Sequence, residues 1–134
     1  MAKMIFVNLP VQDLDASKRF FVELGFSINP TFTDETASCV VISDTIFAML
    51  LTEDKFKEFA GKPQSDAART TEVMVALSAE SREEVDRVAD AALAAGGSQA
   101  KEPTADAYMY GRSFYDLDGH HWEIMWMDPA VTGA

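Results

Sequence analysis

The stretch FYDLDGHHWEI, residues 114–124, places an Asp-Gly pair between two runs in which apolar and polar residues alternate. Asp118-Gly119 is typical of a tight β-hairpin turn, because glycine adopts the positive φ angles that such turns require. We therefore predict two strands around this turn, over residues 112–117 and 121–127. Residues 43–51 show the same order of turn residues and apolar run. The chain thus contains a candidate internal repeat.

A helix pattern precedes each of the two hairpins. In the first half, Asp13 or Asp15 can cap a helix that carries apolar residues on one face and ends at Gly25. In the second half, Ser81-Arg82-Glu83-Glu84 is a capping box, and apolar residues recur at helical spacing from there to Gly96-Gly97. Both patterns predict an amphipathic helix packed against a sheet.

Strand patterns surround the two helices in the same order. The predicted strands cover residues 4–10, 27–33, 38–43 and 46–52, then 71–77, 98–101, 112–117 and 121–127, and a short helix covers 53–59. We predict an α+β fold with one domain, residues 1–134. In it, two β-α-β-β-β modules with mixed sheets, residues 3–60 and 71–128, are joined by a polar linker at 61–70.

Composition and charge restrict the class of protein. The 134 residues are 48% hydrophobic, which fits one folded domain, and no apolar run reaches the roughly 18–20 residues of a membrane span. Twenty-two acidic against eleven basic residues give a net charge of −11. Such a charge disfavours nucleic-acid and membrane partners; it suits a cationic ligand or simply a soluble surface. We expect Asp116 and Asp118 to be surface charges of this kind.

The N-terminus lacks the pattern of a signal peptide, and the lone Cys39 allows no intramolecular disulfide. These features predict a cytoplasmic protein.

The residues at both ends of the chain resemble the vicinal oxygen chelate superfamily. LPVQDLDAS, residues 9–17, with Phe20-Phe21 and Leu24-Gly25-Phe26, resembles its opening module, and residues 114–124 resemble its closing signature. That superfamily contains glyoxalase I, bleomycin-resistance proteins, fosfomycin-resistance thiol transferases and extradiol dioxygenases. The resemblance implies sheets curled around a cup-shaped cavity, usually completed in a homodimer. In catalytic members the cavity holds one divalent metal, bound by side chains from the first and last strands of the modules.

Most of the ligand positions implied by the resemblance carry no ligand. They fall on Phe6 and Met49 in the first module and on Met74 and Glu123 in the second. A shift of two residues keeps the same strand face but brings no histidine onto either opening strand. Thioethers and phenyl rings do not bind Zn²⁺ or Mg²⁺, so we expect no superfamily-type metal centre. A divalent metal on a makeshift set of Glu72, Glu123 and His121 is the less favoured alternative.

Among the candidate residues, Glu123 has the side chain best suited to proton transfer. Facing an apolar cavity lined by Phe6, Met49, Met74 and Met125, it could act as a general acid or base. Alternatively, it pairs with His121 or Asn8 and has a structural role. His121 in turn is either a proton relay or a partly exposed strand residue, with the second reading favoured.

Other candidates lie before and within the closing hairpin. Tyr110 and Arg112 fall where the cavity mouth is expected, so Tyr110 could donate a hydrogen bond and Arg112 could bind an anionic group, unless Arg112 is merely solvated. Trp122, Ile124 and Trp126 alternate onto the other strand face, as does His120, and we expect the three apolar residues to be core.

Three functions remain open. The favoured one is a metal-free protein that binds a small, largely apolar molecule. The candidate ligand-binding residues are Phe6, Asn8, Met49, Met74, Tyr110, Arg112 and Met125. The alternative is a glyoxalase I-like lyase, or a related metal-dependent enzyme of the dioxygenase type, with Glu123 as base or ligand and His121 as its catalytic partner. A partner-binding module is the third.

Overall fold

A computed structural model describes residues 2–132 of the chain. The chain divides into two compact units, one up to Asp66 and the other from Ala67 onward. Each unit contains a mixed sheet and helices, so the predicted α+β class is confirmed. No helix within residues 2–132 has the length and hydropathy needed to cross a bilayer.

The first unit is built on a four-stranded sheet. Its elements are strand β1 (Ile5–Val11), helix α1 (Leu14–Glu23), strand β2 (Ser27–Asn29), a 3-10 turn (Pro30–Phe32), strands β3 (Ala37–Val41) and β4 (Ile46–Thr52), and helix α2 (Glu53–Ala60). The strand order is β1-β4-β3-β2, with β1 parallel to β4 and the other pairs antiparallel. The first and last strands of the unit are therefore neighbours.

Capping and burial explain α1. The Asp13 side chain accepts a hydrogen bond from the Ala16 backbone N–H at 3.0 Å, which satisfies one of the free donors of the first turn. Phe20 and Phe21 are buried and meet edge to face, with ring centroids 5.1 Å apart. This apolar face packs on β3 and β4, as the sequence periodicity predicts.

The second unit repeats this order with a larger sheet. Its elements are strand β5 (Met74–Ser78), helix α3 (Arg82–Ala94), strands β6 (Ser98–Gln99), β7 (Thr104–Ala105), β8 (Met109–Tyr115) and β9 (His121–Met127), and a short helix α4 (Pro129–Thr132). The strand order is β5-β9-β8-β6, and β7 also pairs with β8. As in the first unit, the first strand runs parallel to the last.

Helix α3 begins at the predicted capping box. The Ser81 hydroxyl accepts from the Glu84 backbone N–H at 3.1 Å, and the Glu84 side chain accepts from the Glu80 N–H, also at 3.1 Å. Val85 and Val88 lie on the buried face of the helix, which packs on β8 and β9. Both helices predicted from their capping residues are confirmed.

Some strand boundaries differ from the prediction. The strand predicted over residues 27–33 ends at Asn29, because Pro30 lacks the N–H that a ladder needs and starts a 3-10 turn. The strand predicted over residues 71–77 begins only at Met74. The strand predicted over residues 112–117 begins three residues earlier, at Met109, and ends at Tyr115. Strand β7 and helix α4 were not predicted, because elements this short do not show a periodic pattern of apolar residues.

Candidate functional site

The register of the second sheet defines two faces. Glu123 pairs with Ala76 on one side and Ser113 on the other, and paired residues point to the same side of a sheet. We call the side that includes Glu123 the open face of the second sheet. It consists of Met74, Ala76 and Ser78 of β5, His121, Glu123, Met125 and Met127 of β9, and Met109, Gly111, Ser113 and Tyr115 of β8. Trp122 and Ile124 are buried on the opposite, α3-covered face, as predicted.

Glu123 is partly buried on the open face. Its side chain is 24% exposed, and its Oε2 lies 3.7 Å from Nε2 of His121. This distance is an ion-pair distance if His121 is protonated, but it is too long for a hydrogen bond. The Glu123 carboxylate makes no other ion pair or hydrogen bond within residues 2–132. The carboxylate is therefore available to a molecule on this face.

His121 lies deeper than predicted. It is 5% exposed, so its expected partial exposure is wrong, and its ring meets the Tyr115 ring edge-on with centroids 5.5 Å apart. Its Nε2 is buried without a hydrogen-bond partner among the described residues. An unsatisfied polar atom in a protein interior is costly and marks a position of interest. Here that atom faces Glu123.

A shallow hollow of about 20 Å³ lies beside Glu123, between β8, β9 and the segment before β7. Met125 fills the space above Gly111, where an added Cβ would come within 2.7 Å of the Met125 sulfur. A volume of this size holds at most a water molecule. Because a methionine side chain is flexible, movement of Met125 is the simplest way to enlarge the hollow.

Tyr110 and Arg112 lie on the opposite face from Glu123, paired with Trp126 and Ile124. These two residues, expected at the mouth of the cavity, thus do not share the face of Glu123, because β8 presents its even-numbered side chains to α3. The Tyr110 hydroxyl donates to Asp86 at 2.5 Å, and Arg112 Nη1 lies 3.0 Å from Asp86.

The same guanidinium also binds Asp90 at 2.8 Å. The hydrogen bond from Tyr110 lowers the pKa of Asp86, and the same contact raises the pKa of Tyr110. The Arg112 side chain is only 17% exposed. It is thus not merely solvated: it ties β8 to α3.

A second cation extends this cluster. The Arg82 guanidinium lies over the Trp126 ring at 4.7 Å and donates to the backbone oxygen of Asp106 at 2.6 Å. It therefore anchors the segment between β7 and β8 to helix α3. Sequence reasoning missed the roles of Asp86 and Asp90; their i, i+4 spacing on α3 is the only signal that could have indicated a shared partner.

Asp116 holds the turn that leads into β9. Its Oδ1 accepts from the backbone N–H groups of Asp118 and His120, both at 3.0 Å, and its Oδ2 accepts from the Trp122 indole N–H at 2.9 Å. The side chain is 7% exposed, so the expectation of a surface charge is wrong for this residue. Burial raises the pKa of Asp116, although the nearby His120 and the three hydrogen bonds oppose this shift.

The candidates of the first unit share one face of their own sheet. Phe6 of β1 pairs with Phe47 of β4, and their rings stack with centroids 4.8 Å apart. Asn8 pairs with Met49, and its side-chain amide donates to the backbone oxygen of Phe6 at 3.2 Å. Apart from Asn8, the residues of β1 and β4 named here are apolar, and β1 carries no titratable side chain.

The structure offers poor ligands for the metal that the superfamily resemblance implies. The four positions carry a phenyl ring, two thioethers and the Glu123 carboxylate, and Glu72 precedes β5 at an exposed position. Within the described range 2–132, no three His, Cys, Asp or Glu side chains form a group that could hold a metal ion. This donor set does not fit a divalent metal.

Known structures share this fold. A hypothetical protein from S. aureus is 33% identical, with a TM-score of 0.77 over 94% of this chain and 95% of that one. A glyoxalase/bleomycin resistance protein/dioxygenase family enzyme from Burkholderia phytofirmans is 17% identical, with a TM-score of 0.78 over 94% and 99% of the two chains. The fosfomycin resistance protein FosX from Listeria monocytogenes is 20% identical, with a TM-score of 0.68 over 94% and 91%. The last two likenesses concern the fold alone.

The sequence itself matches a family model in its first part. Residues 3–43 match the family described as bleomycin resistance protein-like N-terminal. A comparison with curated proteins gave no significant match. The matched segment covers β1, α1, β2 and β3, the same part whose motifs resemble the superfamily's opening module. With the fold of both units, these findings establish that the chain belongs to the vicinal oxygen chelate superfamily, among its glyoxalase/bleomycin-resistance-like members.

Proposed function

We propose that this protein binds a small, largely apolar molecule on the open face of the second sheet, without a bound metal. The observation that carries the proposal is the concentration of methionines around the Glu123 carboxylate on this face. Met74 is 57% exposed and Met127 is 46% exposed. Met109 of β8 and Met125 of β9 are half-buried on the same face. Exposed apolar patches mark binding surfaces, and methionine adapts its shape to the ligand.

The test is binding of a neutral apolar probe to chelator-treated protein. N-phenyl-1-naphthylamine should bind with one-to-one stoichiometry, followed by its fluorescence, while elemental analysis checks that the protein is metal-free. Met74→Lys should weaken binding about tenfold, because it places a charge in the apolar contact. The matched control is Val22→Lys on α1, where the native side chain is 49% exposed. Absence of stoichiometric binding, or equal effects of both variants, would contradict the proposal.

A proton-transfer enzyme is the second candidate, and the proximity of Glu123 and His121 favours it. A partly buried carboxylate beside a buried imidazole is a common arrangement for a general base. In this case the protein would isomerise hemithioacetals, and Glu123→Gln would abolish the activity. Unchanged turnover in that variant would remove Glu123 from the mechanism.

We further propose that the protein is a cytoplasmic homodimer. Strand β1 lies at the edge of its sheet, and Ile5 on it is more than half exposed. Exposed apolar edge strands are normally covered in the native assembly. Light scattering should give about twice the chain mass of 14.7 kDa. A mass equal to that of one chain at working concentration would contradict the dimer. The proposed cytoplasmic location rests on the single cysteine of the sequence, Cys39, which allows no intramolecular disulfide.

A further inference from the structure

Glu123 limits the kinds of molecule that can cover the open face. An apolar ligand that lies over the methionines also removes water from the Glu123 carboxylate. Burying a charged group without a new partner is unfavourable in apolar surroundings and offsets part of what a small apolar ligand gains by binding. A ligand that brings its own strong hydrogen-bond donor to Glu123 should therefore bind this face more tightly than a neutral apolar ligand of the same shape.

The protein supplies little direct compensation of its own: Lys101 lines the same hollow but forms no ion pair with Glu123 within the described residues. On the neighbouring strands Glu123 faces Ala76, which has no polar side chain, and Ser113, whose Oγ already accepts the Lys101 backbone N–H at 3.0 Å. Arg112 is bound to Asp86 and Asp90 on the other face. The only ion-pair contact of Glu123 recorded within residues 2–132 is His121 at 3.7 Å.

His121 adds a second acceptor at the same place. Its Nε2 is buried and has no hydrogen-bond partner among the described residues, although it faces Glu123 Oε2. A primary ammonium group has three N–H donors, so one such group can donate to both atoms. A carboxylate or phosphate on the ligand would instead be repelled by Glu123 and by the net charge of −11.

We propose that the open face of the second sheet selects an organic primary ammonium ion, an apolar body with one –NH₃⁺ group whose hydrogens are donated to Glu123 Oε2 and His121 Nε2. This rests on the proposed function, which places the ligand on the same face. The methionines contact the apolar body, and the carboxylate determines the charge of the ligand. His121 Nε2 is the second acceptor, 3.7 Å from Glu123 Oε2.

The experiment compares three probes of nearly equal shape by titration calorimetry on metal-free protein. These are 1-naphthylmethylamine as its ammonium ion, the neutral 1-naphthylmethanol, and the quaternary N,N,N-trimethyl derivative of the amine. The ammonium ion should bind about tenfold tighter than the alcohol, as expected for a charge-assisted hydrogen bond. The quaternary ion should bind more weakly than the primary one, because it has no N–H donor.

Two variants test whether Glu123 causes the preference for the ammonium ion over the alcohol. Glu123→Gln should reduce the ratio between amine and alcohol affinities to near one without weakening the alcohol. Glu83→Gln makes the same charge change at an exposed position on α3 and should leave the ratio unchanged. Equal affinities for amine and alcohol in the native protein would overturn the ammonium inference and leave the proposed function standing. Failure of all three probes to bind would overturn both, and a quaternary ion as tight as the primary one would overturn the hydrogen-bonding part.

Discussion

Replacing Asp116 by alanine should lower the free energy of unfolding by about 3 kcal/mol, since three hydrogen bonds are lost and a buried donor is left without an acceptor. The donor in question is the Trp122 indole N–H, which Asp116 accepts at 2.9 Å in the native protein. Asp116→Asn keeps an acceptor oxygen for the backbone groups of Asp118 and His120 but turns an amide N–H₂ toward the indole. The loss of unfolding free energy in Asp116→Asn should therefore be smaller, about 1–2 kcal/mol. Urea denaturation followed by tryptophan fluorescence measures both values.

The pH dependence of the unfolding free energy lost in Asp116→Asn tests how readily the buried carboxyl group takes up a proton. Burial raises the pKa of Asp116 in the folded protein above its ordinary value. The folded state therefore takes up a proton more readily than the unfolded state, and the native protein gains stability relative to the asparagine variant as pH falls through the folded-state pKa.

The loss on substitution should accordingly grow on acidification from neutral pH. Asp118→Asn, a neighbouring change in the same turn, is the control for general acid effects. A loss that shrinks as pH falls would mean that the hydrogen bonds and His120 outweigh burial.

Gly119→Ala should destabilise the protein more than Gly61→Ala, although both glycines have a positive φ angle, +88° and +76°. Alanine in this backbone region costs about 1–2 kcal/mol at either position. At Gly119 the new Cβ would also lie 2.7 Å from the backbone oxygen of Ala67, and a backbone atom cannot move aside as a side-chain tip can. At Gly61 no atom lies within 4 Å.

We therefore expect a loss of about 2–3 kcal/mol for Gly119→Ala and about 1 kcal/mol for Gly61→Ala. Denaturant unfolding of the two variants measures the difference between their losses of unfolding free energy. The cost of the positive φ angle is common to both variants and cancels in this difference. Equal losses would show that the turn can shift away from Ala67 without cost.

The elements whose residues carry their own local signals could be predicted from sequence. The caps Asp13 and Ser81 indicated α1 and α3, and strands β4 and β9 begin and end at the predicted residues. The alternation in β9 correctly separated Glu123 from the buried Trp122. In each of these cases, the information lies within a few residues of the chain.

Features that depend on pairing between distant segments could not be predicted. The face on which Arg112 lies follows from its register with Ile124, and its partners Asp86 and Asp90 belong to a helix more than twenty residues earlier. The burial of Asp116 likewise depends on the Trp122 ring folding back over the turn. Composition and periodicity do not contain such contacts, because they arise only once the sheet and helix pack together.

The parallel pairing of the first and last strand in each unit bears on how the chain folds during synthesis. Ile5 meets Ile46 in the first unit, and Met74 meets His121 in the second, so each sheet closes only when its final strand becomes available. Contacts between such distant segments slow folding, because the loop between them must be closed first. On the ribosome, β1 therefore stays unpaired until β4 has emerged, and β5 stays unpaired until β9 has emerged. During that interval each waiting strand presents unpaired backbone groups to other chains, which is the condition for wrong association.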